Sequence, residues 1–295
     1  MATLREIKRR ITSIKNTEKI TRAMKMVAAV KFRKAQENVV SARPYARKIA
    51  EILRNLIPTV EHLQNELLME RDVNKICMVV VTADRGLAGS FNTNLIKEAQ
   101  SLITAKYNGY YSSHDLTLIC VGKKSYDYFF KRHFDIYAKY TGVFDRLEFN
   151  SARKIVSEII KGYTEKKFDK VVLVYNEFKS VIQSRIIEEQ FLPVQTLTQE
   201  GSASGNVSNF IYEPSAKEII AYMLPKHLNT QIWRVLLESY ASEQAARMTA
   251  MDSATRNAND LISSLQLYYN KARQSAITKE LLEIVAGADA LKEAG

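Results

Sequence analysis

The chain has 295 residues, 46% hydrophobic and 25% charged, a composition that excludes disorder and permits one large domain or two smaller ones. Charged residues break every apolar run well short of the roughly 18 to 20 residues that a membrane span requires. The net charge of +11 is concentrated at the start: residues 1–57 hold 15 Lys plus Arg against 4 Asp plus Glu, residues 58–225 hold 20 against 20, and residues 226–295 hold 8 against 8. What calls for explanation is therefore a basic N-terminal segment, which could meet phosphates, anionic lipid or an acidic protein surface.

The opening MATLREIKRR is basic but runs directly into a charged amphipathic pattern, without the apolar stretch of a secretory leader. The ten glycines fall at 86, 89, 109, 122, 142, 162, 201, 205, 287 and 295, so both ends are nearly glycine-free and read as long helices. A strict heptad seam from Leu4 through Ile7, Ile11 and Ile14 to Leu53 and Leu56 is apolar at thirteen of sixteen positions. Its exceptions, Glu18, Thr21 and Lys25, cluster where Ile20, Met24 and Val27 suggest that the apolar stripe changes register. Such a helix would be on the order of 80 Å long, and Pro44 should kink it.

In the middle, short apolar runs at 76–82, 116–121 and 171–175 read as buried strands alternating with helical patterns at 93–106, 123–132 and 150–167. That order predicts a Rossmann-like α/β domain with a mostly parallel sheet. A fourth strand near 184–191 alternates as an edge strand does, and the polar stretch 196–209 reads as a surface loop. The C-terminal seam, from Leu237 to Ala286, is apolar at eleven of fifteen positions, with small residues in its first half. Two seams of comparable length at opposite ends are most economically satisfied by each other, as an antiparallel coiled coil. The expected division is 1–57 for the N-terminal helix, 58–209 for the α/β domain with its linkers, and 210–295 for a mostly helical C-terminal segment.

Little of this carries chemistry. The run Asp84-Arg85-Gly86-Leu87-Ala88-Gly89-Ser90-Phe91-Asn92 follows a strand and precedes a helix, where α/β folds bind phosphates. It lacks GxGxxG and Gly-Lys-Ser/Thr, so a structural turn in which Ser90 or Asn92 caps the next helix is favoured. His62, His114, His133 and His227 are scattered, and neither Cys77 nor Cys120 pairs with one at ligand spacing, so no metal, cofactor or catalytic residue is assigned. Phe32 and Tyr45 are the only aromatics among residues 1–57, which argues against nucleic acid and for an acidic protein partner.

The segments IleThrArgAlaMetLysMetValAlaAlaValLysPheArgLysAlaGln at 20–36, AlaSerGluGlnAlaAlaArgMetThrAlaMetAspSerAlaThr at 241–255 and LeuTyrTyrAsnLysAlaArgGlnSerAlaIleThrLysGluLeuLeuGluIleValAlaGly at 267–287 resemble the gamma subunits of F-type ATP synthases. The AspArgGlyLeuAlaGly turn and TyrGluPro at 212–214 resemble that family too. The resemblance implies a non-catalytic central rotor shaft. Its partners would be the alpha and beta subunits, epsilon and the membrane ring of c subunits, with membrane association only through the complex.

By the same resemblance, Arg273 and Gln274 engage a loop of beta, and Lys19, Arg22, Met24 and Lys25 face an acidic beta loop. Tyr212 and Glu213 lie at the foot against the c ring, and Val285 to Gly295 form a tip in an apolar bearing. Ala88 stands where the family often has cysteine, and the plastid regulatory insertion is absent. With no leader-like start, a bacterial source is expected, with the complex on the cytoplasmic face of the inner membrane. A nucleic-acid-binding coiled-coil protein and a nucleotide-using α/β enzyme are the competing readings.

Overall fold

The computed structural model describes residues 3–60, 65–180, 184–194 and 213–293. Two long helices, α1 (Leu4–Leu56, 53 residues) and α6 (Ala216–Glu293, 78 residues), flank a five-stranded sheet. Both helix assignments run unbroken through a proline, Pro44 in α1 and Pro225 in α6. The chain divides into two compact units, one of residues 1–27 with 248–295 and one of residues 28–247, so the division falls inside both helices.

The larger unit is the α/β body. Strands β1 (Ile76–Val81), β2 (Leu116–Val121), β3 (Ile136–Tyr140), β4 (Lys170–Phe178) and β5 (Ser184–Leu192) lie in the order β3-β2-β1-β4-β5. The first four are parallel; β5 is the edge strand that the alternation at 184–191 anticipated, and it runs antiparallel along β4. The sequence reading missed β3. Its IYAKY carries a lysine and stays half-buried at the other edge, so it lacks the apolar run that marks the central strands.

Because side chains alternate across a strand, β1 feeds two cores. Cys77, Val79 and Val81 face one side with Ile119, Leu173 and Tyr175; there α5 (Phe149–Thr164), α1 and α6 cover the sheet through Ile155, Ile159, Leu53, Leu224 and Leu236. Ile76, Met78 and Val80 face the other side, against Leu95, Ala99 and Ile103 of α2 (Phe91–Ala105) and Phe129 of α4 (Lys123–Phe130). A short helix, α3 (Asn108–Ser112), links α2 to β2. Each large apolar side chain buried this way contributes roughly 1.5–3 kcal/mol. The terminal helices therefore do two jobs, since their sheet-proximal parts are one wall of the α/β core.

The smaller unit is a helix pair. Thr21 meets Thr255 and Lys25 meets Asp252, so residue numbers rise on one helix as they fall on the other and the pair is antiparallel. All the heptad positions of α1 are buried or partly buried, including Glu18, Thr21 and Lys25. The expected change of register does not occur: of Ile20, Met24 and Val27, on which it rested, Ile20 and Val27 are 59% and 56% exposed and only Met24 is partly covered. The seam keeps its phase because Thr21 and Lys25 find polar partners on α6 and Glu18 pairs with Arg22 on α1 itself.

Candidate functional site

The polar stretch of the seam forms a layer across the helix pair. The Thr21 and Thr255 hydroxyls lie 2.8 Å apart, so one donates to the other, and the hydroxyl that accepts keeps its own proton for a carbonyl of its own helix, Glu18 for Thr21 or Met251 for Thr255. Lys25 Nζ sits 2.5 Å from Asp252 Oδ1, and Arg256 takes the other oxygen of that carboxylate. The hydrogen bond from Lys25, reinforced by Arg256, holds the Asp252 carboxyl below its ordinary range. Glu18 is partnered by Arg22 at 3.1 Å. Matched polar groups inside an apolar seam fix axial register, because sliding by one turn would strand them against alkyl groups.

The same register determines where the pair ends. Each step up α1 matches a step down α6, so Leu4 falls opposite about residue 272, and α6 continues for some 20 residues, on the order of 30 Å, past the start of its partner. The burial pattern agrees. Seam positions of α6 are covered through Ala272, whereas Ala276, Lys279, Glu283 and Ala286 are exposed. Ile277, Leu281, Leu282, Ile284 and Val285 are each at least half exposed on this stretch.

The residues singled out in the sequence take distinct positions. Lys19 and Arg22 are exposed on the outward face of α1, and Met24 is partly covered. The Lys25 side chain is 43% exposed but its charge is paired with Asp252. Arg273 and Gln274 are exposed where α6 outruns α1, about 25 Å along the axis from the Lys19–Lys25 turns; the two groups are not brought together. Glu213 lies in the larger unit beside a pocket of about 610 Å³ lined by Tyr45, Ile49, Ile219, Tyr222 and Met223. Tyr212, the 196–209 stretch and the last two residues of the tip lie outside the described residues.

The glycine turn after β1 is filled by the protein itself. Asp84 accepts hydrogen bonds from the amides of Lys123 (2.9 Å), Gly142 (2.8 Å) and Phe144 (3.0 Å), joining the loops that follow β1, β2 and β3. Those amides, one of them at the start of α4, are the donors that a phosphate would need. Gly122 closes the crevice further: at φ +93°, a Cβ there would stand 2.1 Å from the Thr82 carbonyl oxygen. Neither Ser90 nor Asn92 caps α2 through its side chain. The Asn92 carboxamide instead spans the turn, accepting from Ala83 N at 2.9 Å and donating to the Arg85 carbonyl at 3.4 Å. Arg247 reaches the Gly86 carbonyl at 3.1 Å and pairs with buried Glu243 at 2.6 Å. The turn is structural, and its carboxylate was the signal for it.

Among the described residues no group of His, Cys, Asp or Glu could hold a metal, and no described helix is long and apolar enough to cross a membrane. Cys77 and Cys120 are buried free thiols, and burial pushes Cys120 up to about 12.

The family model for ATP synthase, in whose proteins this architecture recurs, matches residues 3–291. The chain is 51% identical over 293 residues to the ATP synthase gamma chain of Chlorobium phaeobacteroides (strain DSM 266), covering 99% of this chain and 100% of the relative. It is 48% identical over 302 residues to that of Chloroherpeton thalassium, covering 99% of each. Among solved structures, it matches a chain of the OSCP/F1/c-ring structure of Euglena gracilis mitochondrial ATP synthase with a TM-score of 0.68 at 20% identity, over 98% of this chain and 94% of that one. A chain of the central stalk/c-ring structure of Tetrahymena thermophila mitochondrial ATP synthase gives 0.60 at 24% identity, over 80% and 99%. At those identities the structural matches speak for the fold, and the near-full-length sequence matches speak for the family. The chain belongs to the ATP synthase gamma-chain family.

Proposed function

We propose that the chain is the central rotor shaft of a proton-translocating ATP synthase, non-catalytic itself, transmitting rotation between a membrane ring of c subunits and catalytic sites on beta subunits. The observation that supports this best is the helix pair: antiparallel, register-locked by a polar layer, and ending in a single helix with an unmatched apolar surface. Torque transmission requires a stiff, asymmetric rod, and a coiled coil without glycine in its paired length meets that requirement. Against the reading as an α/β enzyme, Asp84 occupies the amides that a phosphate would need after β1.

In this reading the single-helix end enters the ring of alternating alpha and beta subunits, where Arg273 and Gln274 contact a beta loop. Lys19, Arg22 and Met24 present the outward face to an acidic beta loop, and the basic excess of residues 1–57 steers and grips it. Lys25 joins that contact only to the extent that it leaves Asp252. Tyr212 and Glu213 belong to the foot that meets the c ring, with epsilon bound beside it. The complex sits on the cytoplasmic face of a bacterial inner membrane, and the chain reaches the membrane only through its partners.

The test is to purify the assembled complex with wild-type chain and with Arg273→Ala plus Gln274→Ala, comparing ATPase turnover and proton pumping. Recovery of alpha and beta with impaired turnover and pumping in the variant is expected. Unchanged turnover and pumping would remove the contact assigned to these two residues, and absence of alpha and beta from the purified complex would overturn the rotor assignment.

A further inference from the structure

Within the α/β unit, Arg43, Arg47 and Arg54 of α1 and His227, Gln231, Arg234 and Glu238 of α6 line a cleft of about 470 Å³, together with Glu177 and Glu189 of the β4–β5 pair. The rotor reading does not use it. Part of its charge is internally matched: Arg234 donates to both oxygens of Glu189 at 3.0 and 2.8 Å, and Gln231 and Tyr175 donate to the same carboxylate at 2.8 Å each. The α1 arginines differ. All three are exposed, and no described residue accepts a hydrogen bond from them.

The wall of the cleft holds the complementary group. Glu238 is 3% exposed, yet its Oε2 has no hydrogen-bond partner among the described residues. Burial raises its carboxyl above the ordinary range, against the pull of Arg234 and Arg43. An acceptor buried without a donor costs about 1–3 kcal/mol, which a bound donor would recover. The cleft is thus lined by guanidinium donors one helical turn apart on α1 and by a carboxyl group on α6 with one oxygen unpartnered among the described residues.

A ligand that satisfies both carries acceptor oxygens and a proton on the same group. A monoprotonated phosphate does so, since its free oxygens suit a guanidinium pair and its P–OH can donate to a carboxylate. Sulfate and an ionised carboxylate lack that proton and would place bare charge beside Glu238 and Glu177, which is why an acidic polypeptide fits less well. We propose that this cleft binds a phosphate group through Arg43 and Arg47, with Glu238 accepting the remaining proton of the phosphate. The volume exceeds that of inorganic phosphate, and Arg54 lies about 10 Å further along the helix, so the group is either free phosphate or the terminal phosphate of a nucleotide.

The test titrates the full chain at pH 6.5 with inorganic phosphate, ADP without metal, or sulfate at matched ionic strength. The readout is the His227 imidazole by NMR, assigned with His227→Gln. Phosphate or ADP should give a saturable shift at a concentration at least about tenfold lower than sulfate, and which of the two acts first identifies the source. Arg43→Ala with Arg47→Ala should weaken the response about tenfold or more, Arg43→Lys with Arg47→Lys should weaken it less, and Glu238→Gln should abolish the preference over sulfate. The proposal is overturned if phosphate and ADP leave His227 unmoved up to about 10 mM, if sulfate acts equally in the wild type, or if the response survives the double alanine variant.

Discussion

One helix, α6, carries the same kind of apolar seam in two places and meets two different fates. Around Leu228, Ile232, Val235 and Leu236 its apolar residues are almost wholly buried against the sheet and α1. From Ile277 to Val285 they are at least half exposed, because α1 has already ended. Periodicity records that a helix face must be covered, and says nothing of what covers it. In the first stretch the cover is the chain itself; in the second no described residue supplies it, and the proposed rotor role assigns it to a partner.

Substitutions in the two stretches should therefore separate cleanly. Leu236→Ala leaves a cavity in a fully buried site and should cost about 3 kcal/mol of unfolding free energy, within the roughly 2–5 kcal/mol typical of such truncations. Denaturant unfolding of the α/β unit checks it, and a cost near zero would break the contrast.

His227, in the covered stretch, is pushed down to about 4 by burial and by Arg234. Unfolded, it titrates near 6.5, so between these values the unfolded state binds more protons. Stability from this residue is therefore complete above pH 6.5, falls as pH drops, and levels off below about 4, a loss of up to about 3 kcal/mol. His227→Gln should flatten that part of the stability-against-pH curve.

The polar layer gives a smaller effect with a sharper signature. Lys25→Asp and Asp252→Lys should each lower the thermal stability of the helix pair, the first by setting two carboxylates against each other across the seam and the second by doing the same with two ammonium groups. The double exchange should restore much of the loss, and a calorimetric scan that found no restoration would remove the register role. The smallest effect belongs to the uncovered stretch: Leu281→Ala with Leu282→Ala should leave the unfolding midpoint unchanged. The same variant should reduce self-association of the isolated chain in sedimentation, since an unmatched apolar surface is what drives it.

The long helices, the mostly parallel sheet and the edge strand at 184–191 were legible because each rests on a hydrophobic pattern along its own segment, whereas the direction of that edge strand came only from the fold. β3 was not, since an edge strand of five residues with an inward-outward mixture gives no run. The apparent stutter at Glu18, Thr21 and Lys25 was misread for a different reason: polar residues at seam positions look like a phase change until their partners are known, and those of Thr21 and Lys25 lie 234 and 227 residues away. Asp84 was visible in the glycine turn, but its three amide donors come from loops separated by up to 60 residues, a constellation that only the fold assembles. The residues assigned to subunit contacts came from family resemblance, because an exposed arginine such as Arg273 has no local pattern that distinguishes it from a solvated one.

The most direct measurement is rotation itself. Ser113 is exposed on the α/β unit and both native cysteines are buried, so Ser113→Cys accepts a probe selectively. With the catalytic ring immobilised, a rotor shaft requires that ATP drive sustained rotation of the probe in one direction, ending when ATP is consumed. A probe that stays fixed while the same complexes hydrolyse ATP would contradict the rotor role.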